Sequence, residues 1–236
     1  MLSAIVPVYD ERESLPPLIE ELRATLRALG TPYEIVVVDD GSTDGGDRWI
    51  AETARASPDL VAVLFERNAG QSAAVAAGFR IARGDVLVTL DGDGQNDPAD
   101  IPRLLAALDG ADVVSGVRAE RRDGWTRRVS SRVANAVRRA VIGDHITDTG
   151  CSLKAYRRNA IEGLPLFATA HRFLAGLCEL NGARVVEIPV AHRPRAAGVS
   201  KYGVGNRLFR GLRDLIGVRW LRSRLLRYRI REVIHG

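Results

Sequence analysis

Three short apolar runs in the first hundred residues each end in a cluster of acids, and no other feature restricts the fold of this chain as much. Ala4-Ile-Val-Pro-Val8 leads to Asp10-Glu11, Glu34-Ile-Val-Val-Val38 to Asp39-Asp40, and Val86–Leu90 to Asp91-Gly-Asp93. Each run reads as a strand, and Glu34–Val38 is continuous enough to be buried on both faces of a parallel sheet. The segments between them are helical in pattern. Leu15, Leu18, Leu22, Leu26 and Leu29 share one face, with Ser14 as the expected cap, prolines in the first turn and Gly30 as the stop. A helix through Trp49 and Ile50 leads to a strand over Leu60–Phe65. Ser72–Arg83 is an Ala-rich helix closed by Gly84, Pro98–Leu108 is another helix, and Asp112–Val117 another strand. This alternation predicts an α/β fold, with a mainly parallel, Rossmann-like sheet flanked by helices and linked by right-handed crossovers.

After residue 118 the pattern loosens. An Arg-rich amphipathic helix is expected over about 125–142, then an irregular stretch at Asp144–Gly150, a late strand at Val185–Val190 and a loop at His192–Gly203. Residues 204–235 read as one or two helices with nine arginines and two acids. We expect one domain over residues 1–215 and a basic amphipathic helical tail over 216–236. Charge divides along the same line. Residues 1–115 carry 9 Arg against 20 acids, whereas residues 116–236 carry 23 Arg and 2 Lys against 9 acids. A basic half points to an anionic partner. Nucleic acid is disfavoured, because the acidic strand ends repel phosphate and no aromatic-interleaved platform accompanies the arginines.

Other classes drop out quickly. Two cysteines, Cys151 and Cys178, are too few for a disulfide framework or a structural zinc site. The four histidines have no metal-ligand spacing. The first residues lack the basic start of a signal peptide, and no run approaches the roughly 18 apolar residues of a membrane span. The expectation is a cytoplasmic chain, soluble or peripheral on the cytoplasmic face of the membrane, of undetermined oligomeric state.

In open α/β sheets ligands bind beyond the carboxyl ends of the strands, where the three acidic clusters converge. No GxGxxG or GxxxxGK[ST] loop is present, so a phosphorylated ligand at this edge requires a cation to screen the carboxylates. Asp91 and Asp93, with Gln95 close behind, form a hard-oxygen set suited to Mg2+ or Mn2+ bridging a diphosphate. A solvated Asp-Gly turn is the competing reading of the same residues.

Taken together, Pro7-Val-Tyr9-Asp-Glu11, Val38-Asp-Asp40-Gly-Ser-Thr-Asp44, Asn68-Ala-Gly70 and Asp91-Gly-Asp93-Gly-Gln95 resemble the family 2 glycosyltransferases of the GT-A fold. Ser115-Gly-Val-Arg118, Asp148-Thr-Gly150 and the run Arg195–Tyr202 narrow the resemblance to the polyprenyl-phosphate group, that of dolichyl-phosphate mannose synthase and its bacterial relatives. The resemblance extends from residue 2 to about 215. One departure is DGDGQ in place of the usual DADLQ, which keeps the three polar positions and is expected to loosen the backbone between them. Many bacterial members continue into transmembrane helices that these 236 residues do not contain.

The resemblance implies roles by position. Pro7, Tyr9, Glu11, Val38 and Asp40 would line the nucleotide pocket, with Asp39 capping the next turn. Asp91, Gly92, Asp93 and Gln95 would meet the diphosphate, with Asp91, Asp93 and Gln95 as metal ligands. Arg118, Arg195 and Lys201 would hold phosphates, and Arg127 and Ser131 would contact the acceptor. Asp93, Arg118 and Lys201 are the residues expected to carry catalysis. The implied reaction is an inverting transfer of a sugar from a nucleotide-diphosphate sugar to a polyprenyl phosphate. A soluble or saccharide hydroxyl acceptor stays open, and Glu179 is then the candidate base, with Asp148 the other acid nearby. A GT-A-like nucleotidyltransferase and a non-catalytic sugar-nucleotide sensor also stay open.

Overall fold

The computed structural model describes residues 1–118, 143–194 and 207–224. Its centre is a seven-stranded sheet of order β3-β2-β1-β4-β6-β5-β7. The strands are β1 (Leu2–Val8), β2 (Tyr33–Asp39), β3 (Leu60–Leu64), β4 (Val86–Thr89), β5 (Val113–Arg118), β6 (Lys154–Arg157) and β7 (Val185–Val190). β1 pairs parallel with β2 and β4, β2 with β3, and β5 with β7. Among the described residues the one exception in this sheet is β6, antiparallel to both β4 and β5. The fold is thus the expected α/β type with a mainly parallel sheet, while β6 and the helices Arg158–Ile161 and Leu174–Leu180 are elements the sequence pattern does not announce.

Strand parity divides the core in two. Ala4, Val6, Ile35, Val37, Val88 and Val114 face one layer, built on α1 (Leu15–Ala28), α2 (Gly46–Ala56) and α4 (Ile101–Ala107). Ile5, Val36, Val38, Leu87 and Val113 face the other, built on α3 (Gln71–Ile81) and α6 (Leu174–Leu180), which follows the short α5 (Arg158–Ile161). Residues i and i+1 therefore serve opposite cores, which is why these strands read as unbroken apolar runs. A third, smaller cluster joins Ala170, Phe173 and Leu177 to Val218 of α7 (Arg207–Arg224), with Leu215 and Leu221 packed against it. α7 runs unbroken across residues 215 and 216.

Ser14 does occupy the N-cap position of α1, with Pro16 and Pro17 in the first turn, but its hydroxyl makes no capping bond. It lies 2.8 Å from the Gly92 carbonyl instead and ties the start of α1 to the loop after β4. The chain winds from β1 through β2 to β3 on one side, then returns to place β4 on the other side of β1. The sheet changes direction at the carboxyl ends of β1 and β4, where such folds open a crevice.

Candidate functional site

The acidic runs after β1, β2 and β4 meet at that crevice because the three strands are neighbours and parallel. Their loops are locked to one another. Asp10, in a left-handed conformation at φ 49°, accepts from the Thr43 N–H at 2.7 Å, and its own N–H donates to Ser42 Oγ at 2.8 Å. Asp44 accepts from the Arg12 N–H at 2.8 Å, and the Arg12 guanidinium lies 5.4 Å from the centre of the Trp49 ring. Aspartate is among the few residues that tolerate left-handed backbone, which explains its place at this turn.

Asp39 and Asp40 point to different tasks. Asp39 caps the turn as expected, accepting from the Ser42 N–H at 3.1 Å, while its Oδ1 is buried without a hydrogen-bond partner. The Asp40 carboxylate is engaged by the loop after β3, taking the Ala69 N–H at 2.7 Å, the Gly70 N–H at 2.9 Å and Asn68 Nδ2 at 3.0 Å. Asn68-Ala-Gly70 is therefore the docking partner of Asp40. Gly41 permits that approach: at φ 73°, a Cβ there would fall 2.5 Å from the carbonyl carbon of Arg67. Pro7 and Val38 are buried opposite each other in the β1–β2 ladder, and Tyr9 and Glu11 are half-buried just beyond it.

The loop after β4 is tight. A Cβ on Gly92 would lie 2.4 Å from Val8 Cγ1, and Gly94 sits at φ 71°. The two glycines of DGDGQ thus serve close packing and a left-handed turn, and at Gly92 the expectation of a loosened backbone is reversed. Asn96 organises the loop from within, its Oδ1 accepting from the Asp91 N–H at 3.1 Å and from Ser152 Oγ at 2.7 Å. Gln71 Nε2 donates to Asp91 Oδ1 at 2.7 Å. Asp93 is buried and accepts from the Gln95 N–H at 3.1 Å. The Gln95 amide nitrogen faces His192 Nε2 at 3.5 Å and the Arg193 carbonyl at 3.4 Å. Arg193 in turn pairs with Asp97 at 2.8 Å and Glu21 at 2.6 Å, fastening the segment after β7 to this edge.

Burial, and then the neighbouring charge of Asp93, push the Asp91 carboxyl up to about 6. Two carboxylates two residues apart, without His or Cys, are the donor chemistry of Mg2+ or Mn2+. Among the described residues no group of three or more His, Cys, Asp or Glu side chains is placed to hold a metal ion. The pair therefore fits an open site completed by ligand oxygens and water rather than a closed protein cage. Because the Asp91 value is raised, its contribution to folding stability is full below the ordinary carboxylate range and is lost as pH rises through about 6. A cation competes with that proton in the opposite sense. Mn2+ titrated calorimetrically into the protein should bind with constant affinity well above pH 6 and about tenfold more weakly per pH unit below it. A flat profile from pH 5 to 8 would remove Asp91 from the cation site.

Arg118, at the end of β5, is held by Asp148 through Nε and Nη2, each at 2.8 Å. Gly150 makes room for it, since a Cβ there would lie 2.7 Å from Arg118 Nη2. Asp148-Thr-Gly150 is thus the cradle of Arg118, a relation that separation in sequence hides. The other candidate base, Glu179, accepts from the His145 N–H at 2.9 Å and contacts its ring nitrogen at 2.7 Å. Arg127, Ser131, Arg195 and Lys201 lie outside the described residues, as does the helix expected over 125–142.

Sequence reasoning missed Gln71, Asn96, Arg193 and Lys154 near this edge. Gln71 and Asn96 leave a local signal, because they directly follow Asn68-Ala-Gly70 and Asp91-Gly-Asp93-Gly-Gln95. His171, one of the four histidines without metal-ligand spacing, has its Nδ1 2.8 Å from Ser72 Oγ, and burial lowers its pKa to about 3.

Comparison with known proteins agrees with this geometry. The family model described as glycosyl transferase family 2 matches residues 3–164. An undecaprenyl-phosphate 4-deoxy-4-formamido-L-arabinose transferase of Aeromonas hydrophila subsp. hydrophila is 41% identical over 206 residues, which cover 86% of this chain and 63% of that protein. The chain thus spans less than two thirds of that relative's length. Among solved structures, glucosyl-3-phosphoglycerate synthase from Mycobacterium tuberculosis, in complex with Mn2+, UDP-glucose and phosphoglyceric acid, is similar at a TM-score of 0.68 and 19% identity, over 94% of this chain and 79% of that one. A mannosyltransferase from Pyrobaculum calidifontis, in complex with GDP-Man and Mn2+, gives 0.60 and 23% identity, over 94% of this chain and 63% of that one. At these identities the two structures speak for the fold.

Proposed function

This chain belongs to glycosyl transferase family 2, with the GT-A type of α/β fold, and from that membership we propose that it moves a sugar, with inversion, from a nucleoside-diphosphate sugar to a polyprenyl phosphate. The observation that carries the donor side is the Asp91–Asp93 pair at the crevice between β1 and β4. Asp91 and Asp93 would hold Mg2+ or Mn2+ against the donor diphosphate, with Gln95 beside them. The cation supplies the positive charge that offsets the charge developing on the leaving diphosphate. Pro7, Tyr9, Glu11, Val38 and Asp40 surround the nucleotide in this reading, on loops already fastened to one another before donor arrives. Pre-set groups of this kind lose little freedom on binding. The mannosyltransferase from Pyrobaculum calidifontis and the synthase from Mycobacterium tuberculosis, each crystallised with a nucleotide sugar and Mn2+, support the donor class.

The acceptor side rests on what the acids of the second half are doing. A hydroxyl acceptor requires a base, whereas a phosphate is already anionic and attacks without one. Asp148 is bound to Arg118 and the Gly150 N–H, and Glu179 to His145. Both candidate bases are therefore committed to holding structure, which favours the phosphate acceptor, as does the relative named for undecaprenyl phosphate. We assign Arg118, held rigid by Asp148, to the phosphate side of the site, together with Arg127, Ser131, Arg195 and Lys201. The membrane surface, at its cytoplasmic face, is the place where such an acceptor is met. No described helix is long and apolar enough to cross a membrane. The test is to incubate the purified chain with a panel of nucleotide sugars, Mn2+ or Mg2+, and polyprenyl phosphate, and to identify products by mass spectrometry. A lipid-phosphate sugar is the expected product. Transfer only to soluble hydroxyl acceptors, or release of pyrophosphate from nucleoside triphosphates, would overturn the reading.

A further inference from the structure

β6 enters the sheet at Lys154, and its direction decides where that residue stands. Because β6 runs antiparallel between β4 and β5, its first residue lies at the carboxyl end of β4, opposite Thr89, and opposite Ser115 within β5 on the other side. Opposed residues share a face. Here it is the face of the second core, which holds Leu87, Val113 and Tyr156. Lys154 is 2% exposed, its ammonium donates to the Cys151 carbonyl, and the Ser115 hydroxyl oxygen across from it is buried without a partner.

A buried ammonium costs several kcal/mol unless nearby charge offsets it, and an apolar side chain of the same length would pack this core better. Burial lowers the Lys154 pKa, and Cys151, Asp91 and Asp148 oppose that in part, while Lys154 acts on Asp91 in return. Three carboxylates (Asp91, Asp93 and Asp148) and two cations (Arg118 and Lys154) thus share one end of the sheet. With a divalent ion alone, the two carboxylates of the crevice would be largely neutralised and would offer an incoming diphosphate little net attraction. A fixed cation set behind them restores it.

We infer that Lys154 is a positioning residue of the donor site, the internal counter-charge that lets the Asp91–Asp93 edge receive an anionic diphosphate. The inference rests on the donor reading above. Lys154 acts through the Asp91 carboxylate and the Cys151 carbonyl, and does not touch the donor. Its charge has opposite effects on the two ligands, repelling a divalent cation and attracting a diphosphate. A lysine with a merely structural part would move both affinities in the same direction when removed.

The experiment uses the full chain, with MnCl2 titrated alone, and then UDP, GDP, ADP and dTDP each titrated at saturating Mn2+. Wild type is compared with Lys154→Met and Lys154→Arg. Lys154→Met should bind Mn2+ at least as tightly as wild type and the nucleoside diphosphate roughly tenfold more weakly, with an unchanged or higher melting temperature. Lys154→Arg, which keeps the charge, should recover most of the diphosphate affinity. Equal diphosphate affinity in wild type and Lys154→Met overturns the inference. So does a parallel loss of both affinities, or a Lys154→Arg protein that melts like wild type yet binds diphosphate as weakly as Lys154→Met. Failure of the wild type to bind any of the four nucleotides overturns the donor reading instead, which keeps the two failures apart.

Discussion

Asp93→Ala should lower sugar transfer by roughly a thousandfold or more while leaving the melting temperature within a few degrees of wild type. The large kinetic effect follows from the place of Asp93 at the crevice, paired with Asp91 and turned into the loop that its own acceptance from the Gln95 N–H closes. In the proposed donor site the cation would then keep one carboxylate, and charge on the leaving diphosphate would be less well compensated. The small effect on stability follows from opposing changes. The bond from the Gln95 N–H, worth about 1 kcal/mol, is lost, and the repulsion that Asp93 exerts on Asp91 is relieved. Product formation, Mn2+ titration and a thermal melt on the same preparation check all three quantities. Near-normal turnover of the variant, or full activity of wild type in excess EDTA, would sink the assignment.

The second large effect is expected at α7. Leu215, Val218 and Leu221 turn inward onto Ala170, Phe173 and Leu177. The opposite side exposes Ile216 at 64% and Trp220 at 62%, one turn apart, with Arg219 and Arg224 also exposed. The inward stripe therefore serves the enzyme's own packing. A separate apolar pair, flanked by cations, is the part that would meet a bilayer interface under the proposed function. Each basic residue near an anionic surface adds about 1 kcal/mol. Seating the exposed parts of Ile216 and Trp220 adds about 3 kcal/mol more, on the order of a hundredfold in partitioning. The full chain should sediment with vesicles containing anionic lipid at low salt, and partly detach at high salt. An Ile216→Ser, Trp220→Ser double variant should bind those vesicles about a hundredfold more weakly, with its fold intact because neither side chain is buried. If the native chain stays in the supernatant at low salt, the membrane reading fails and a soluble acceptor becomes the better proposal.

Both predictions depend on features that differ in how far the sequence announced them. β1, β2 and β4 were legible because each is a local run of apolar residues, and the position of an acid after such a run requires no tertiary knowledge. That their carboxyl ends share one edge was legible as well, since parallel strands carry them to one side, whereas their meeting at one crevice depends on the neighbouring order β2-β1-β4. The Ala-rich helix expected over Ser72–Arg83 was legible too, although α3 spans Gln71–Ile81 and stops at Ala82 rather than at Gly84. The strand Lys154–Arg157 was not, because four residues bounded by Lys and Arg show neither alternation nor an apolar run. It is a strand because β4 and β5 both present open edges to it, a property of distant segments.

The site divides in the same way. Residue types and spacing identified Asp91, Asp93 and their cation chemistry, because hard-oxygen donors two residues apart are a local property. Tertiary structure alone decided that Asp40 is engaged by Asn68, Ala69 and Gly70, that Asp148 belongs to Arg118, and that Gly92 is a point of close packing against Val8 rather than of slack. Each depends on which atoms come within about 3 Å across many residues of chain, and a one-dimensional pattern carries no such distances. Lys154 is the clearest case. The sequence shows a lysine, whose ordinary place is in water. Only the antiparallel entry of β6 between two parallel strands buries it at the acidic edge, where carboxylates offset a charge that burial alone would disfavour.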